Sequence, residues 1–167
     1  YSWNTGATSS LVIVSPSVTT SYTVSGTNAN SCSNVATLNV VVNPNPTISI
    51  VSSPTAICVG GSATLTASGA STYSWNTGAT SSLVIVSPSV TTSYTVSGTN
   101  ANACSNFATV SVIVNPNPTI SIVSSPTAIC VGGSATLTAS GASTYSWNTG
   151  ATSSLVIVSP SVTTSYT

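Results

Sequence analysis

The stretch TAICVGGSATLTASGASTYSWNTGATSS (Thr55–Ser82) recurs letter for letter at residues 127–154. Within it, SATLTAS (Ser62–Ser68) alternates polar and apolar residues, so that Leu65 and its alanine neighbours share one face. Alternation with a period of two predicts a half-buried β-strand, whereas an amphipathic helix needs a period of 3.6 residues. Glycine-containing turn signals interrupt the alternating segments. The stretch therefore predicts a fold built from short β-strands.

The same pattern extends along the chain. TYSWN places Tyr73 and Trp75 on one face of a strand, and TSYTVSG places Tyr94 on the same side as Val96. Other predicted strands are Thr47–Val51, Ser82–Ser87 and Asn106–Val114. About seven short strands at this spacing, with no segment of helical period, predict an all-β sandwich.

The amino-acid composition excludes most mechanisms of enzyme catalysis. The chain has 167 residues and contains no Lys, Arg, Asp, Glu or His. General acid–base catalysis normally depends on one of these side chains, and no base is present to activate a Ser or Thr nucleophile. The apolar content of 41% is nevertheless sufficient for packed cores. We therefore predict a folded protein that is not an enzyme and has no catalytic residues and no cofactor.

Several binding functions are excluded on the same ground. The four cysteines are too far apart in the sequence for a CxxC metal motif, and calcium prefers the carboxylates that are absent. Nucleic-acid binding depends on Lys and Arg side chains that neutralise the phosphates. Attraction to an anionic membrane surface depends on the same side chains. No apolar run reaches the length of a transmembrane helix. We predict no metal site, no nucleic-acid partner and no membrane insertion.

The sequence is an internal repeat. The segment YSWNTGATSSLVIVSPSVTTSYT begins at Tyr1, Tyr73 and Tyr145, which gives a period of 72 residues. Residues 1–95 and 73–167 differ at five positions, which are clustered at 31–41 and 103–113. A period of this length suits a small independent domain better than a solenoid turn.

The motif NPNP, at Asn43–Pro46 and Asn115–Pro118, marks the boundaries between copies because Pro interrupts strand pairing and stiffens a linker. We therefore predict the C-terminal part of one copy at residues 1–46, a complete copy at 47–118, and the N-terminal part of another at 119–167. The chain is expected to belong to a longer array.

The cysteines occur two per copy, as Cys58 and Cys104 in the complete copy. An even pair in a small domain of secreted character predicts a disulfide, which would add about 3–4 kcal/mol of stability on the chain-entropy argument. Cys32 and Cys130 are the equivalent residues of the partial copies, and their partners are expected outside the sequence. The alternative is a pair of buried free thiols in a reducing compartment.

Trp75 allows two interpretations. An exposed Trp would stack on a glycan, whereas a central-strand Trp usually packs in the core of a sandwich. We expect Trp75, Tyr73, Tyr94 and Leu65 to be core residues. The Asn-rich turns are expected for their backbone tolerance, although they are also able to hydrogen-bond sugars. No ligand-binding residue is assigned.

The motifs AICVGGSATLTASGASTYSWNTGATSS and SYTVSGTNANACS resemble a known class of repeat. They are similar to the Ig-like, or PKD-like, tandem repeats of very large secreted surface proteins of gliding and particle-colonising bacteria. The matching residues span the whole repeat: Cys58, Gly60, Ser62, Thr64, Leu65, Tyr73, Trp75, Gly78, Ala79, Thr80, Tyr94, Thr95, Val96, Cys104 and Ser105. The resemblance implies Ig-like domains that serve as spacers, stalks or adhesive arrays outside the cell, often exported by the type IX system.

Two departures from that family are evident. Ala103, which is Ser31 in the other copy, stands where Gly is usual before the second Cys, and charge is absent throughout. Without net charge, domains approach one another at any pH or salt concentration. We therefore expect an extracellular cell-surface filament that self-associates through neutral Ser/Thr-rich faces and is stapled by disulfides. O-glycosylation of the abundant Ser and Thr is also expected.

Alternative functions remain. An adhesin or carbohydrate-binding module would bind surface glycans through a repeated face of aromatic residues and Asn loops. An ice-binding surface would use regular rows of Thr, but the sequence shows no regular two-dimensional Thr ladder. The clustered differences between copies are compatible with either a tuned domain contact or drift.

Overall fold

A computed structural model describes the whole chain, Tyr1–Thr167, and contains β-strands but no helix. The chain forms two compact units, Tyr1–Val114 and Asn115–Thr167. The all-β prediction is confirmed, and the paired sheets of the first unit are consistent with a β-sandwich. The strands are β1 Ser2–Trp3, β2 Thr20–Thr27, β3 Ser33–Val40, β4 Ser49–Ser53, β5 Ala56–Cys58, β6 Ala63–Ser68, β7 Thr72–Trp75, β8 Leu83–Val86, β9 Thr92–Thr99, β10 Ser105–Asn115, β11 Ser121–Ser125, β12 Ala135–Ser140 and β13 Leu155–Val158.

The complete copy contains two sheets. One has the strand order β4-β6-β8, and the other has the order β5-β10-β9-β7. Antiparallel pairing sets the register, with Leu65 opposite Val84 in the first sheet and Tyr94 opposite Val110 in the second. The chain leaves the first sheet after β4 and joins the second as β5, a three-residue strand that the sequence pattern did not predict.

Side chains from both sheets form one core. Its buried members are Ile57, Ala63, Leu65, Ala67, Trp75, Val86, Tyr94, Val96 and Val112. Strand β6 shows how the sequence produces this arrangement, because its residues alternate between buried and outward-facing positions along the strand. The period-two pattern thus assigns one face of each strand to the core and leaves Ser and Thr on the other.

The partial copies form single sheets. Residues 1–46 contribute the sheet β1-β2-β3 to the first unit, and the second unit contains the sheet β11-β12-β13. The core of the second unit consists of Ala135, Leu137, Ala139, Trp147 and Val158. The predicted boundary between residues 46 and 47 lies inside the first unit, so the division of the chain into three segments stays a prediction. No helix of the structure is long and apolar enough to cross a membrane.

Gly69 lies in the turn between β6 and β7, where the chain passes close to the start of the copy. Its φ is +97°, and an added Cβ would lie 1.9 Å from the carbonyl oxygen of Thr47. Gly141 has the same relation to Thr119 in the second unit. Any side chain at residue 69 would therefore displace Thr47, the first residue after the NPNP linker.

We predict that Gly69→Ala destabilises the complete copy by roughly 2 kcal/mol more than Gly78→Ala, since strain and steric overlap add. Gly78 is the matched control because its φ of +86° imposes similar backbone strain while no atom lies within 4 Å of the added Cβ. Amide hydrogen exchange of β9 measures the free energy of opening. Equal losses in the two variants would show that the approach of Thr47 does not constrain the fold.

Candidate functional site: the junction and the sheet faces

The sequence-predicted core residues lie inside the complete copy. Leu65 and Tyr94 are buried, Tyr73 packs against the core half-buried, and Trp75 is only 3% exposed. The Trp75 indole Nε1 donates to the carbonyl oxygen of Ser81 at 2.9 Å, so the indole is fully engaged within the protein. A buried, hydrogen-bonded indole offers no platform for a sugar ring.

The linker between the first partial copy and the complete copy is docked on a β-hairpin. We call this contact the junction; it joins linker residues Asn43–Pro46 to the turn Asn100–Cys104, which connects β9 and β10, and to Asn106 at the start of β10. Asn100 Nδ2 donates to the carbonyl oxygen of Pro44 at 3.0 Å, and Asn106 Nδ2 donates to that of Pro46 at 3.1 Å. Pro46 is also buried. Two amide hydrogen bonds and a buried Pro thus fix the path of the linker.

The hairpin turn is organised to present these amides. The Asn100 Oδ1 accepts from the backbone N–H groups of Asn102 and Cys104, at 3.0 and 3.1 Å. Ala103 has a φ of +60°, and its equivalent Ser31 has a φ of +62°. This left-handed conformation favours Gly, which explains why Gly would be the usual residue at this position. Asn100 therefore closes the turn with its oxygen while its nitrogen holds the linker.

Cys58 and Cys104 lie at opposite ends of the complete copy. Cys104 precedes β10 directly, and its Sγ is 3.7 Å from the carbonyl oxygen of Asn43 at the junction. Cys58 ends β5, which is hydrogen-bonded to β10, and Ile113 near the end of β10 donates its N–H to the carbonyl oxygen of Thr55. Strand β10 rises on the order of 30 Å between its ends.

The direction of the chain confirms this placement. Pro46 lies beside Asn106 at the start of β10, and Thr55 lies beside Ile113 near its end, so residues 46–55 run along β10 in the same direction. Cys58 then accepts the Gly61 N–H in the turn that leads into β6. A disulfide needs Cα atoms about 4–7 Å apart. The predicted Cys58–Cys104 disulfide is therefore wrong, and both residues, like Cys32 and Cys130, are free thiols.

The outer side of β9 and β10 carries pairs of hydroxyl groups, and we call it the hydroxyl face. The Oγ atoms of Ser93 and Ser111 are 2.9 Å apart, and the Oγ1 atoms of Thr95 and Thr109 are 3.1 Å apart. These residues are direct cross-strand partners. Each of these four hydroxyls thus has a hydrogen-bond partner within the protein. Burying this face against a neighbour would therefore leave none of the four without a partner.

The outer side of the sheet β4-β6-β8 carries large aliphatic residues, and we call it the aliphatic face. Val51, Leu83 and Ile85 are 62%, 52% and 67% exposed. Thr66 of the central strand pairs with Val51 on one side and Leu83 on the other, while Thr64 pairs with Ile85. The second unit exposes Val123, Leu155 and Ile157 in the same way. Each sheet of this type therefore presents an uncharged and partly apolar surface.

The sequence differences between copies are concentrated on an outer surface. Of the five differing positions, three correspond to exposed residues of β10, namely Phe107, Ser111 and Ile113. The hydroxyl pairing survives the change at residue 111, because Ser21 donates to Asn39 Oδ1 at 2.5 Å in the first partial copy. Three of the five differences thus fall on outward side chains of one strand, and the strand keeps its pairing in both copies.

A concavity in the second unit has a volume of about 600 Å³. Its lining includes Leu137 and Val158, which belong to the apolar face of the sheet β11-β12-β13. In the complete copy, the corresponding residues Leu65 and Val86 lie in a core that also contains Val96 and Val112. We assign this concavity to exposed core surface and place no ligand in it.

We predict that Asn106→Asp loosens the linker and that Asn34→Asp, the matched control, does not. Both Asn side chains accept the next backbone N–H at 2.9 Å, but only Asn106 donates to a linker carbonyl. The Asp carboxylate keeps the local acceptor and repels the Pro46 carbonyl, at a cost of about 1–3 kcal/mol. The NMR order parameter of the Asn45 amide should fall from about 0.85 towards 0.6 in the Asn106 variant alone. An unchanged Asn45 order parameter would show that the amide does not hold the linker.

The comparisons with known proteins provide no relative from which to transfer a function. No protein-family model matches the chain, and no curated protein matches it significantly. The functional argument therefore depends on the junction, the hydroxyl face and the aliphatic face.

Proposed function

We propose that the chain is part of an extracellular structural array, in which Ig-like domains of 72 residues follow one another and form a cell-surface filament or stalk. Its partner is another copy of itself, through lateral contacts between neutral faces. The observation that carries this proposal is the uncharged aliphatic face, which recurs in the complete copy and in the second unit with the same exposed residues.

The physical basis is the balance between apolar attraction and charge repulsion. Burying Val51, Leu83 and Ile85 against a neighbour removes apolar area from water and is favourable by roughly 25 cal/mol per Å². Most proteins oppose such contacts with net charge and with Lys at sheet edges. This chain has no Lys, Arg, Asp or Glu. Nothing electrostatic therefore opposes lateral packing, at any salt concentration.

The junction supports end-to-end order in the same array. A linker held by Asn100 and Asn106 and containing a buried Pro46 has less freedom than a solvated Pro-rich spacer. Successive domains then keep a defined orientation, and equivalent aliphatic faces recur along the filament at regular intervals. Regular spacing converts many weak lateral contacts into a strong one.

The carbohydrate-binding alternative receives less support. Trp75 is buried, and the Asn100 side chain is engaged in turn and linker hydrogen bonds. The Trp75 indole and the Asn100 amide are therefore already used inside the protein. An extracellular location and O-glycosylation are part of the proposal; the location follows from the resemblance to secreted surface repeats, and the glycosylation from the abundance of Ser and Thr.

We predict that Thr66→Lys combined with Thr138→Lys abolishes lateral association at low salt. The two residues lie on the central strands of the equivalent sheets, where each Lys would place a charge in the middle of an aliphatic face. Light scattering of the reduced chain in 0.01 M NaCl should show assemblies for the parent and monomers for the variant. Raising NaCl to 1 M should restore association of the variant, because the Debye length falls from about 30 Å to about 3 Å.

The matched control is Ser89→Lys combined with Ser161→Lys, which adds the same charge at exposed loop positions. We expect this control to associate like the parent, or to lose much less association than the sheet variant. Equal loss in both variants would show that net charge alone matters and that the aliphatic face is not the contact. A parent chain that stays monomeric at high concentration would overturn the proposed function.

A further inference from the structure

The complete copy carries one free cysteine at each of its two ends. Cys58 lies at the end where β10 terminates, and Cys104 lies at the end where β10 begins. Cys130 occupies the position of Cys58 in the second unit, where its carbonyl accepts the Gly133 N–H at 2.9 Å. Cys32 occupies the position of Cys104 in the first partial copy, with its N–H bonded to Asn28. This arrangement is unsuited to a bridge within a copy and suited to a bridge between copies.

The junction shows what Cys104 contacts in the preceding copy. Its Sγ lies 3.7 Å from the carbonyl oxygen of Asn43. By the 72-residue period, Asn43 is the equivalent of Asn115, the last residue of β10. The two strands follow the same path towards these residues, since Val42 bonds to Thr19 Oγ1 and Val114 bonds to Thr91 Oγ1, each at 3.0 Å. Cys104 therefore faces the end of the last strand of the preceding copy.

The complete copy shows what else lies at that end. Strand β5 is hydrogen-bonded to β10 there, and Cys58 is its last residue. Neighbouring strands are about 4.8 Å apart. A cysteine at the position of Cys58 in the preceding copy would thus stand one strand away from the residue that the Cys104 Sγ contacts. The Cys104 Sγ is 3.7 Å from an atom of that same residue, so the two cysteines would meet at the same end of the preceding copy, where a disulfide needs their Cα atoms to be about 4–7 Å apart.

We infer that consecutive copies are joined by a disulfide, between the cysteine equivalent to Cys58 in one copy and the cysteine equivalent to Cys104 in the next. The inference depends on the proposed function, because an extracellular array meets the oxidising conditions in which disulfides persist. The exposure of the two cysteines agrees with this inference, because Cys58 is exposed and Cys104 is half-buried. The bridge locks the same junction that Asn100 and Asn106 hold by hydrogen bonds.

The chemistry is a two-electron oxidation. The two thiols lose two protons and two electrons as the S–S bond forms, and a small-molecule disulfide accepts them and becomes two thiols. The reaction proceeds by thiol–disulfide exchange, in which one thiolate attacks the small disulfide and the second thiolate displaces the released thiol from the mixed disulfide. Oxidised glutathione is the oxidant in the experiment below.

The test completes the first copy of this chain. Residues Thr47–Thr72 are placed before Tyr1, which restores the repeat without a break and adds one equivalent of Cys58 to the four existing cysteines. The extended chain is folded, exposed to oxidised glutathione, and unfolded without reductant, and its thiols are counted by alkylation and mass spectrometry. A cysteine that carries glutathione as a mixed disulfide is recognised by its mass and is counted as a free thiol, because it is not bridged to another cysteine of the chain. A bridge between copies joins the added cysteine to Cys104 and leaves three free thiols, namely Cys32, Cys58 and Cys130.

The alternatives give different counts. Bridges within copies would join the added cysteine to Cys32 and Cys58 to Cys104, leaving one free thiol, and no bridge would leave five. Either count would overturn the inference. As matched variants, Cys32→Ser should keep the bridge and leave two free thiols, whereas Cys104→Ser should lose it and leave four. A bridge that survives Cys104→Ser would also contradict the inference.

The unextended chain provides a separate control. Its four cysteines should all remain free after the same oxidation, because it contains no cysteine equivalent to Cys58 before the junction. Lateral association is measured on reduced protein and does not depend on this bridge. A failure of the disulfide therefore leaves the scattering result intact, and a failure of lateral association leaves the thiol count intact.

Discussion

The absence of charged side chains determines which interactions this protein is able to form. The side-chain hydrogen bonds are made by neutral hydroxyl, amide, indole and thiol groups, and none is strengthened by a charged side chain. The fold therefore depends on alternation within strands, which buries Leu65 and Val96 and turns Ser and Thr outward. Pairs such as Thr95 and Thr109 then satisfy one another across strands. The same constraint leaves the outer faces without the repulsion that normally keeps domains apart.

In the proposed array, the junction would connect the stability of one copy to the orientation of the copy before it. Asn100 closes its own turn with Oδ1 and holds the linker with Nδ2, so a single side chain serves both purposes. Gly69 permits the close passage of Thr47, which fixes the other end of the linker. A change at either residue would disturb both the domain and its connection to the preceding one. In this account, rigid end-to-end order and lateral packing are consequences of the same short stretches of sequence.

Much of the fold follows from the sequence because its cause is local. Alternation predicted the core positions of Leu65, Trp75 and Tyr94, and these residues lie in the core. The cysteine pairing was not predictable, because spacing along the chain does not specify at which end of β10 each cysteine lies. Strand β5 was missed because three residues carry too little pattern, and its position depends on pairing with a strand that follows about 50 residues later. The linker contacts were missed for the same reason, since Asn106 and Pro46 meet only through the tertiary fold.

The most direct test of the account is electron microscopy of the native material that carries this sequence, taken from the cell surface. The account predicts long, uniform filaments with an axial repeat of one or two domains and with lateral contacts between neighbouring arrays. The expected axial repeat follows from a domain on the order of 30 Å long, as β10 sets it. Flexible strings of separate domains, with variable angles between neighbours and no lateral order, would contradict both the rigid junction and the role of the neutral faces.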